Sequence, residues 1–166
     1  MRRNGATTEV GEQVDLDRVR ALAASAGPGV EASVMAVTAL RQPDLRIGIA
    51  RDRAFGFYYP DDLAALAAAG APLVPFDTLC DARLPAVDGL FIGGGFPETC
   101  LDALEGNSAL RAALHQAIVG GLPTYAECGG LMLLSRSIRW RDRTAAMVGV
   151  IPGDAVLHER PVGRGY

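Results

Sequence analysis

The segment that decides the fold is residues 123–134, with the sequence PTYAECGGLMLL. It begins as an apolar run of the kind that forms a buried strand, passes through an Ala-Glu-Cys-Gly-Gly turn and ends in a second apolar run. A strand, a sharp turn that carries a thiol and a helix together form a nucleophile elbow. Such a turn needs small residues near the nucleophile, and Ala126 and Gly130 lie two positions on either side of Cys128. The segment therefore predicts that Cys128 attacks a carbonyl group.

The alternative for Cys128 is a small cysteine packed in the core, which is a common role for free cysteines. We favour the nucleophile because unpaired N–H groups at a helix start favour the thiolate form. The preceding Glu127 has two open interpretations. Its carboxylate could bind the amino group of a substrate, or it could pair with an arginine.

Strand and helix signals alternate on the amino-terminal side of the elbow. The predicted strands are residues 46–50, 72–76, 89–92 and 122–125, and the predicted helices are residues 60–69, 101–104 and 108–119. This alternation predicts an α/β fold with a parallel sheet covered on both faces. Sites in such sheets form at the carboxyl ends of the strands. We therefore expect the elbow and the glycine-rich turn after residue 92 to lie at one edge.

The glycine-rich turn lies within residues 91–98, FIGGGFPE. A backbone N–H of Gly94 or Gly95, together with that of Gly129, could hold the oxygen of a tetrahedral intermediate. A phosphate-binding loop is a weaker interpretation, because the turn lacks the GxGxxG spacing and the chain contains no lysine. The third alternative is a plain tight turn. Tyr58 and Tyr59 could line a pocket or a domain interface, although packing is the more common role of aromatic side chains.

The two ends of the chain have weaker patterns. Residues 14–24 predict a short amphipathic helix, and the rest of residues 1–44 is interpreted as a linker. After residue 135, residues 138–140 and 146–150 predict short strands that could pair antiparallel, and residues 151–166 show no clear element.

Composition excludes several classes of protein. The chain has 166 residues, 49% of them hydrophobic, which suits one domain with its own core. Its net charge of −3 argues against binding to nucleic acid or to an anionic membrane surface. Three scattered cysteines without CxxC spacing argue against a disulfide framework or a zinc site. No apolar run approaches the ~20 residues of a membrane span, and the amino terminus lacks a signal peptide pattern. We expect a soluble, cytoplasmic protein.

A cysteine nucleophile needs a base, and the chain has two histidines. His115 falls inside a predicted helix, and His158 falls in the irregular tail beside charged residues. Neither lies at the end of a predicted core strand. We therefore expect the base to come from outside these 166 residues.

Four segments together resemble a known family. They are FGFYYP at residues 55–60, FIGGGFPE at 91–98, YAECGGLMLL at 125–134 and MVGVIP at 147–152. In this order and spacing they are similar to the glutamine amidotransferase domain of cobyrinic acid a,c-diamide synthases, including the hydrogenobyrinic acid enzymes. The resemblance covers about residues 45–166. Residues 14–24 resemble the last helix of the ATP-dependent synthetase domain that precedes this domain in the family.

The resemblance implies a flavodoxin-like, three-layer class I amidotransferase fold with a mainly parallel sheet. It implies that Cys128 attacks the side-chain amide of glutamine, and that Gly94, Gly95 and Gly129 belong to the oxyanion and glutamine-binding turns. The released ammonia would pass to the synthetase domain, where ATP and Mg²⁺ activate the a and c carboxylates of a corrinoid. No cofactor is implied for the part present here, and a homodimer is a further expectation. On this interpretation residues 45–166 are a carboxy-terminally truncated domain whose assisting histidine lies beyond the tail.

Two other functions remain open from the sequence. One is another cysteine-elbow hydrolase of the same fold. The other is a catalytically inactive interaction domain in which the sheet only binds a partner.

Overall fold

The computed structural model of the chain describes residues 14–27, 45–160 and 162. The chain divides into two compact units, residues 1–36 and 37–166. In the first unit, helix α1 (Leu16–Ser25) begins after Asp15, whose carboxylate accepts the backbone N–H of Arg18 at 2.9 Å. This helix agrees with the one predicted at residues 14–24. Most of the predicted linker lies outside the described residues.

The second unit alternates strands and short helices in the part that carries the site. Its described strands are β1 (Ile47–Ala50), β2 (Phe55–Phe57), β3 (Leu73–Phe76), β4 (Gly89–Ile92), β5 (Gly94–Gly95), β6 (Thr124–Ala126), β7 (Ser135–Trp140), β8 (Arg143–Ala146) and β9 (Ile151–Val156). Its described helices are α2 (Pro60–Ala68), α3 (Leu101–Gly106), α4 (Ser108–Val119) and α5 (Gly129–Leu134), with a 3-10 turn at Pro97–Cys100. Every described helix is too short or too polar to cross a membrane.

The central sheet has four strands in the order β3-β1-β4-β6, and all of its pairings are parallel. Leu90 of β4 pairs with Thr124 of β6, and Ile92 pairs with Ala126, so these two strands end side by side. The strand order matches the flavodoxin-like arrangement of doubly wound sheets. The α/β fold with a parallel sheet flanked by helices, expected from the sequence, is confirmed.

Local sequence explains where the helices begin and end. Proline occupies the first position of α2, where its missing N–H costs nothing, and Asp61 and Asp62 follow in the first turn. Gly70 ends this segment with a φ of 85°, a conformation that other residues rarely adopt. The start of α4 is capped by Asn107, whose side-chain oxygen accepts the N–H of Leu110.

The hydrophobic core joins the sheet to α3, α4, α5 and strand β7. Its fully buried side chains include Phe55, Ile92, Leu104, Leu110, Leu114, Leu133 and Ile138. Cys100 also lies in this cluster and is 4% exposed, whereas Cys80 and Cys128 are exposed; all three thiols are free.

Two regions differ from the sequence predictions. Residues 51–59, for which the sequence predicts neither a helix nor a strand, contain β2, which pairs antiparallel with β5 inside the predicted glycine turn. At the other end, β7 and β8 form an antiparallel hairpin, while β9 pairs parallel with β7. The strand predicted at residues 146–150 is therefore wrong beyond Ala146, and β9 occupies a segment that was predicted to be irregular.

Candidate active site at the Cys128 turn

Cys128 lies in a strained turn between β6 and α5. Its backbone has φ 49° and ψ −112°, and it is one of two described non-glycine residues with a positive φ. For a non-glycine residue, this backbone conformation costs roughly 1–3 kcal/mol and persists only where the surrounding structure enforces it. Its thiol is exposed. The structure therefore has the strand-turn-helix geometry that the sequence predicts for a nucleophile elbow.

Close backbone packing enforces this turn. A Cβ on Gly130 would lie 2.2 Å from the carbonyl oxygen of Ile92, so only glycine fits there. The N–H of Gly130 donates to the carbonyl of Gly93 at 3.1 Å and to that of Glu127 at 2.8 Å. The N–H of Glu127 donates to the Ile92 carbonyl at 3.1 Å. These contacts attach the Cys128 turn to the end of β4.

The structure brings the predicted glycines together at this turn. A Cβ on Gly94 would lie 3.7 Å from the Cβ of Cys128, which places Gly94 next to the nucleophile. Gly95 faces elsewhere, because a Cβ there would lie 1.9 Å from the Ala54 carbonyl oxygen. A Cβ on Gly129 would lie 3.0 Å from the nitrogen of Gly95, so these two glycines pack against each other. Of the two candidates in the glycine turn, Gly94 thus lies against the Cys128 side chain and Gly95 packs behind it.

Two backbone N–H groups lie where the Cys128 turn leads into α5. Neither the N–H of Cys128 nor that of Gly129 has an acceptor among the described residues. Donors of this kind, next to a nucleophile, can stabilise negative charge that develops on a carbonyl oxygen.

A pocket of about 560 Å³ opens over the thiol, a size within the range of small-molecule sites. It is lined by Gly56, Phe57, Tyr58, Tyr59, Gly94, Glu127 and Cys128. Neither histidine contributes to this lining. His115 is exposed on α4 in a separate depression, and His158 is exposed after β9.

Glu127 makes a hydrogen bond that the sequence analysis missed. Its carboxylate accepts the hydroxyl of Tyr125 at 3.0 Å, and it forms no ion pair with an arginine within the described ranges. This hydrogen bond, together with the charge of the carboxylate, raises the pKa of Tyr125. The two residues are two positions apart, as side chains on one face of a strand are, which is the signal that could have identified Tyr125. The arginine pairing considered from the sequence is not observed.

Tyr58 contributes both packing and hydrogen bonds. Its ring packs edge-on against Phe91 with the ring centroids 5.1 Å apart. Its hydroxyl donates to the carbonyl of Ala50 at 2.5 Å and accepts the N–H of Gly93 at 3.1 Å. Burial raises the pKa of Tyr58, so the hydroxyl stays neutral and can do both. Tyr59, by contrast, is 72% exposed at the rim of the pocket.

The loop that carries Tyr58 is fixed by Asp52. One oxygen of its carboxylate accepts the N–H groups of Ala54 and Phe55, at 2.7 and 3.0 Å. The other accepts the N–H and the hydroxyl of Thr78, both at 2.7 Å. These hydrogen bonds connect the start of the segment between β1 and α2 to the residues that follow β3.

The described residues do not fit the ATP and Mg²⁺ that the resemblance assigns to another domain. They contain no group of three or more histidine, cysteine or acidic side chains placed to hold a metal ion. The glycine turn has no lysine near it, because the chain has none.

Comparison with known proteins identifies the relatives of this chain. A family model described as the CobB/CobQ-like glutamine amidotransferase domain matches residues 46–166. A cobyrinate a,c-diamide synthase from Magnetococcus marinus is 43% identical over 158 residues, which is 92% of this chain and 34% of that relative. Synthases of the same name from Methanosarcina acetivorans and Syntrophotalea carbinolica are 38% and 46% identical, covering 92% and 86% of this chain. The chain spans about a third of the length of these relatives.

Proposed function

The chain belongs to the CobB/CobQ-like glutamine amidotransferase domain family, and on that premise we propose that Cys128 is the nucleophile that releases ammonia from glutamine. The observation that carries this proposal is the strained Cys128 turn, which exposes a thiol in a pocket beside Gly94. Two N–H groups of this turn have no acceptor within the described part of the chain. A packed structural cysteine would not need a positive φ or an exposed sulfur. The thiol side chain of Cys100, buried in the core, illustrates that other role.

The reaction has two steps at the thiol. The thiolate of Cys128 attacks the side-chain amide carbon of glutamine, and the carbonyl oxygen becomes an oxyanion. The C–N bond then breaks, the nitrogen takes up a proton and leaves as ammonia, and a glutamyl thioester remains. Water attacks the thioester, the C–S bond breaks, glutamate is released and the thiol is regenerated.

The oxyanion would be stabilised by backbone donors of the turn. We assign this role to the N–H of Gly129 and to the glycine turn at Gly94, with Gly95 supporting Gly129 by packing. We assign to Glu127 the binding of the α-ammonium group of glutamine, because Glu127 lines the same pocket and its carboxylate has no arginine partner among the described residues. The Tyr125 hydroxyl holds this carboxylate in place at 3.0 Å.

The role of the released ammonia is proposed from the relatives. The relatives described above are cobyrinate a,c-diamide synthases, and each is about three times as long as the part that matches this chain. We propose that this domain supplies ammonia to a synthetase domain that amidates two carboxylates of a corrinoid in cobalamin biosynthesis, with ATP and Mg²⁺ bound there. Residues 1–44 would then join the two domains.

A substitution at the nucleophile tests this function. In a diamide synthase that contains this domain, Cys128→Ala should abolish glutamine-dependent product formation and leave ammonia-dependent formation within about twofold of the wild type, because only the thiol step is removed. Loss of both activities to the same extent would show that Cys128 is structural. Product formation is measured by mass spectrometry with each nitrogen source.

The isolated chain of 166 residues provides a second measurement. The pocket lining formed by the described residues includes no histidine, so proton transfer to the leaving nitrogen has no imidazole partner there. General acid–base groups contribute about 10²–10⁴-fold to such steps. We therefore expect slow glutaminase turnover, measured as ammonia release. Turnover at the rate of a complete amidotransferase would contradict this expectation.

A further inference from the structure

The Tyr58 hydroxyl connects the ends of two neighbouring strands. It donates to the carbonyl of Ala50, the last residue of β1, at 2.5 Å. It also accepts the N–H of Gly93, the first residue after β4, at 3.1 Å. These strands are adjacent at the point where the strand order changes direction, which is where doubly wound sheets place their sites.

Gly93 continues this connection to the Cys128 turn. Its carbonyl accepts the N–H of Gly130 at 3.1 Å, so its N–H faces Tyr58 while its carbonyl holds the elbow. The next residue is Gly94, which lies against Cys128. A single side-chain hydroxyl is thus linked through Gly93 both to the elbow and to the candidate oxyanion turn.

The ring of Tyr58 fits this position closely. A Cβ on Gly93 would lie 2.6 Å from the Cε1 atom of Tyr58, so the ring packs directly on the Gly93 backbone. Phe91 contacts the ring edge-on from the sheet. Phenylalanine at position 58 would keep these ring contacts. It would lose the hydroxyl's hydrogen bonds to Ala50 and Gly93, together with a longer one that the hydroxyl donates to the Phe91 carbonyl at 3.5 Å.

We propose that Tyr58 is the positioning residue of the oxyanion turn, and that its hydroxyl orients the Gly93 backbone so that Gly94 and the elbow face the attacked carbonyl together. This inference rests on the proposed function. Tyr58 does not act on the substrate amide itself. Its effect belongs to the step in which charge develops on the carbonyl oxygen.

Two thiol reagents separate this role from general packing. A chloroketone analogue of glutamine presents a carbonyl to Cys128, so its maximal labelling rate depends on stabilisation of an oxyanion. Iodoacetamide forms a C–S bond with loss of iodide and needs no oxyanion. Both reagents are used on the full chain with Cys80→Ser, which removes the other exposed thiol, at about pH 9, where an ordinary cysteine is largely thiolate.

For Tyr58→Phe we expect the maximal rate of labelling by the analogue to fall about tenfold, with the half-saturating concentration nearly unchanged. The iodoacetamide rate should stay at the wild-type value. Ser135→Ala is the matched control, because it removes one buried hydroxyl that donates to the Leu131 carbonyl at 3.0 Å and does not line the pocket. The control should leave both rates unchanged.

Three results would overturn the proposal. Equal rates for Tyr58→Phe and the wild type with both reagents would show that the hydroxyl does not position the turn. An equal fall with both reagents would show that it only supports the fold. A wild-type chain that the analogue does not label in a saturable way would reject the proposed function itself, and with it the role of Tyr58.

Discussion

Glycine residues around Cys128 have separate physical reasons to lack a side chain. At Gly130, a Cβ would lie 2.2 Å from the backbone oxygen of Ile92 and 2.9 Å from its carbonyl carbon, and backbone cannot move aside cheaply. At Gly94, the nearest atoms to an added Cβ are the Cβ of Phe57 at 3.3 Å and that of Cys128 at 3.7 Å. The first glycine is required by the fold, whereas the second keeps space beside the thiol.

This difference predicts opposite outcomes for two alanine substitutions. Gly130→Ala should lower the free energy of unfolding by about 1–3 kcal/mol or more, as overpacking in a close-packed interior does. Gly94→Ala should change stability by less than about 1 kcal/mol and slow labelling of Cys128 by the glutamine analogue, because a methyl group then lies beside the sulfur. Urea unfolding and labelling rates measure the two effects. Equal destabilisation by both substitutions would contradict this assignment.

At the scale of elements, an ion pair connects the two parallel strands β7 and β9. Arg136 of β7 contacts the carboxylate of Asp154 in β9 through two nitrogens, and Ser137 donates its hydroxyl to the same carboxylate at 2.7 Å. The Arg136 guanidinium, followed by the Ser137 hydroxyl, lowers the pKa of Asp154 to about 2. The side chain is partly accessible, so solvent screens the pair.

The lowered pKa of Asp154 gives a signed pH dependence. An ordinary aspartate has a pKa of about 3.9. The stabilisation of the folded state by ionised Asp154 is therefore fully present above that pH and is lost as the pH falls through about 2. Asp154→Asn should therefore melt below the wild type at pH 6, and the difference should shrink between about pH 4 and pH 2. Thermal unfolding followed by circular dichroism measures it.

Asp142→Asn is the control for this prediction. Asp142 lies in the turn between β7 and β8 and is exposed, and it has no hydrogen bond or ion pair among the described residues. Its substitution should not reproduce the shrinking difference. If the difference in melting temperature between Asp154→Asn and the wild type is constant from pH 6 to pH 2, the ion pair does not stabilise the strand pairing.

The elements also show which patterns the sequence carries. Strands β1, β3, β4 and β6 are short apolar runs bounded by turn residues, so their existence and parallel pairing were predictable. Strand β5 is two glycines, and β2 is Phe-Gly-Phe, so neither has a periodic pattern. Their pairing depends on the Ala54 carbonyl meeting a residue without a Cβ, which is a tertiary contact. Strand β9 contains Pro152 and Gly153, which normally argue against a strand.

At the site, the same distinction applies. Cys128 and the glycines were predictable because the elbow is local in sequence. The hydrogen bonds of Tyr58 were not predictable, because its partners Ala50 and Gly93 come from the ends of two strands that only the folded sheet brings together. Contacts of this kind leave no periodic signal along the chain.

At the scale of the whole molecule, the core of the second unit is formed by its own residues. Its described buried cluster extends from Ala50 to Val148. In the first unit, the described helix α1 has no buried residue. The second unit therefore has what a domain needs to fold by itself.

We expect a chain that starts at residue 45 to keep the unfolding midpoint of the full chain within about 2 °C, because it retains the whole cluster. A chain that starts at residue 52 is the control. It lacks β1, which pairs with both β3 and β4, and it should not fold cooperatively. Calorimetry of both chains measures the result, and a clearly lower midpoint for the first would reject a domain boundary at residue 45.

Because Cys100 is buried, the reactivity of its thiol can be used to measure how often the core opens. With the exposed Cys80 and Cys128 replaced by serine, the remaining thiol is 4% exposed and can react only when the core around it opens. The ratio of the reaction rate of a fully accessible cysteine in a short peptide to the rate of Cys100 in native buffer gives the free energy of that opening. Measured at several pH values or for the substitutions above, this ratio would show which of them act on the core and which act only on the Cys128 turn.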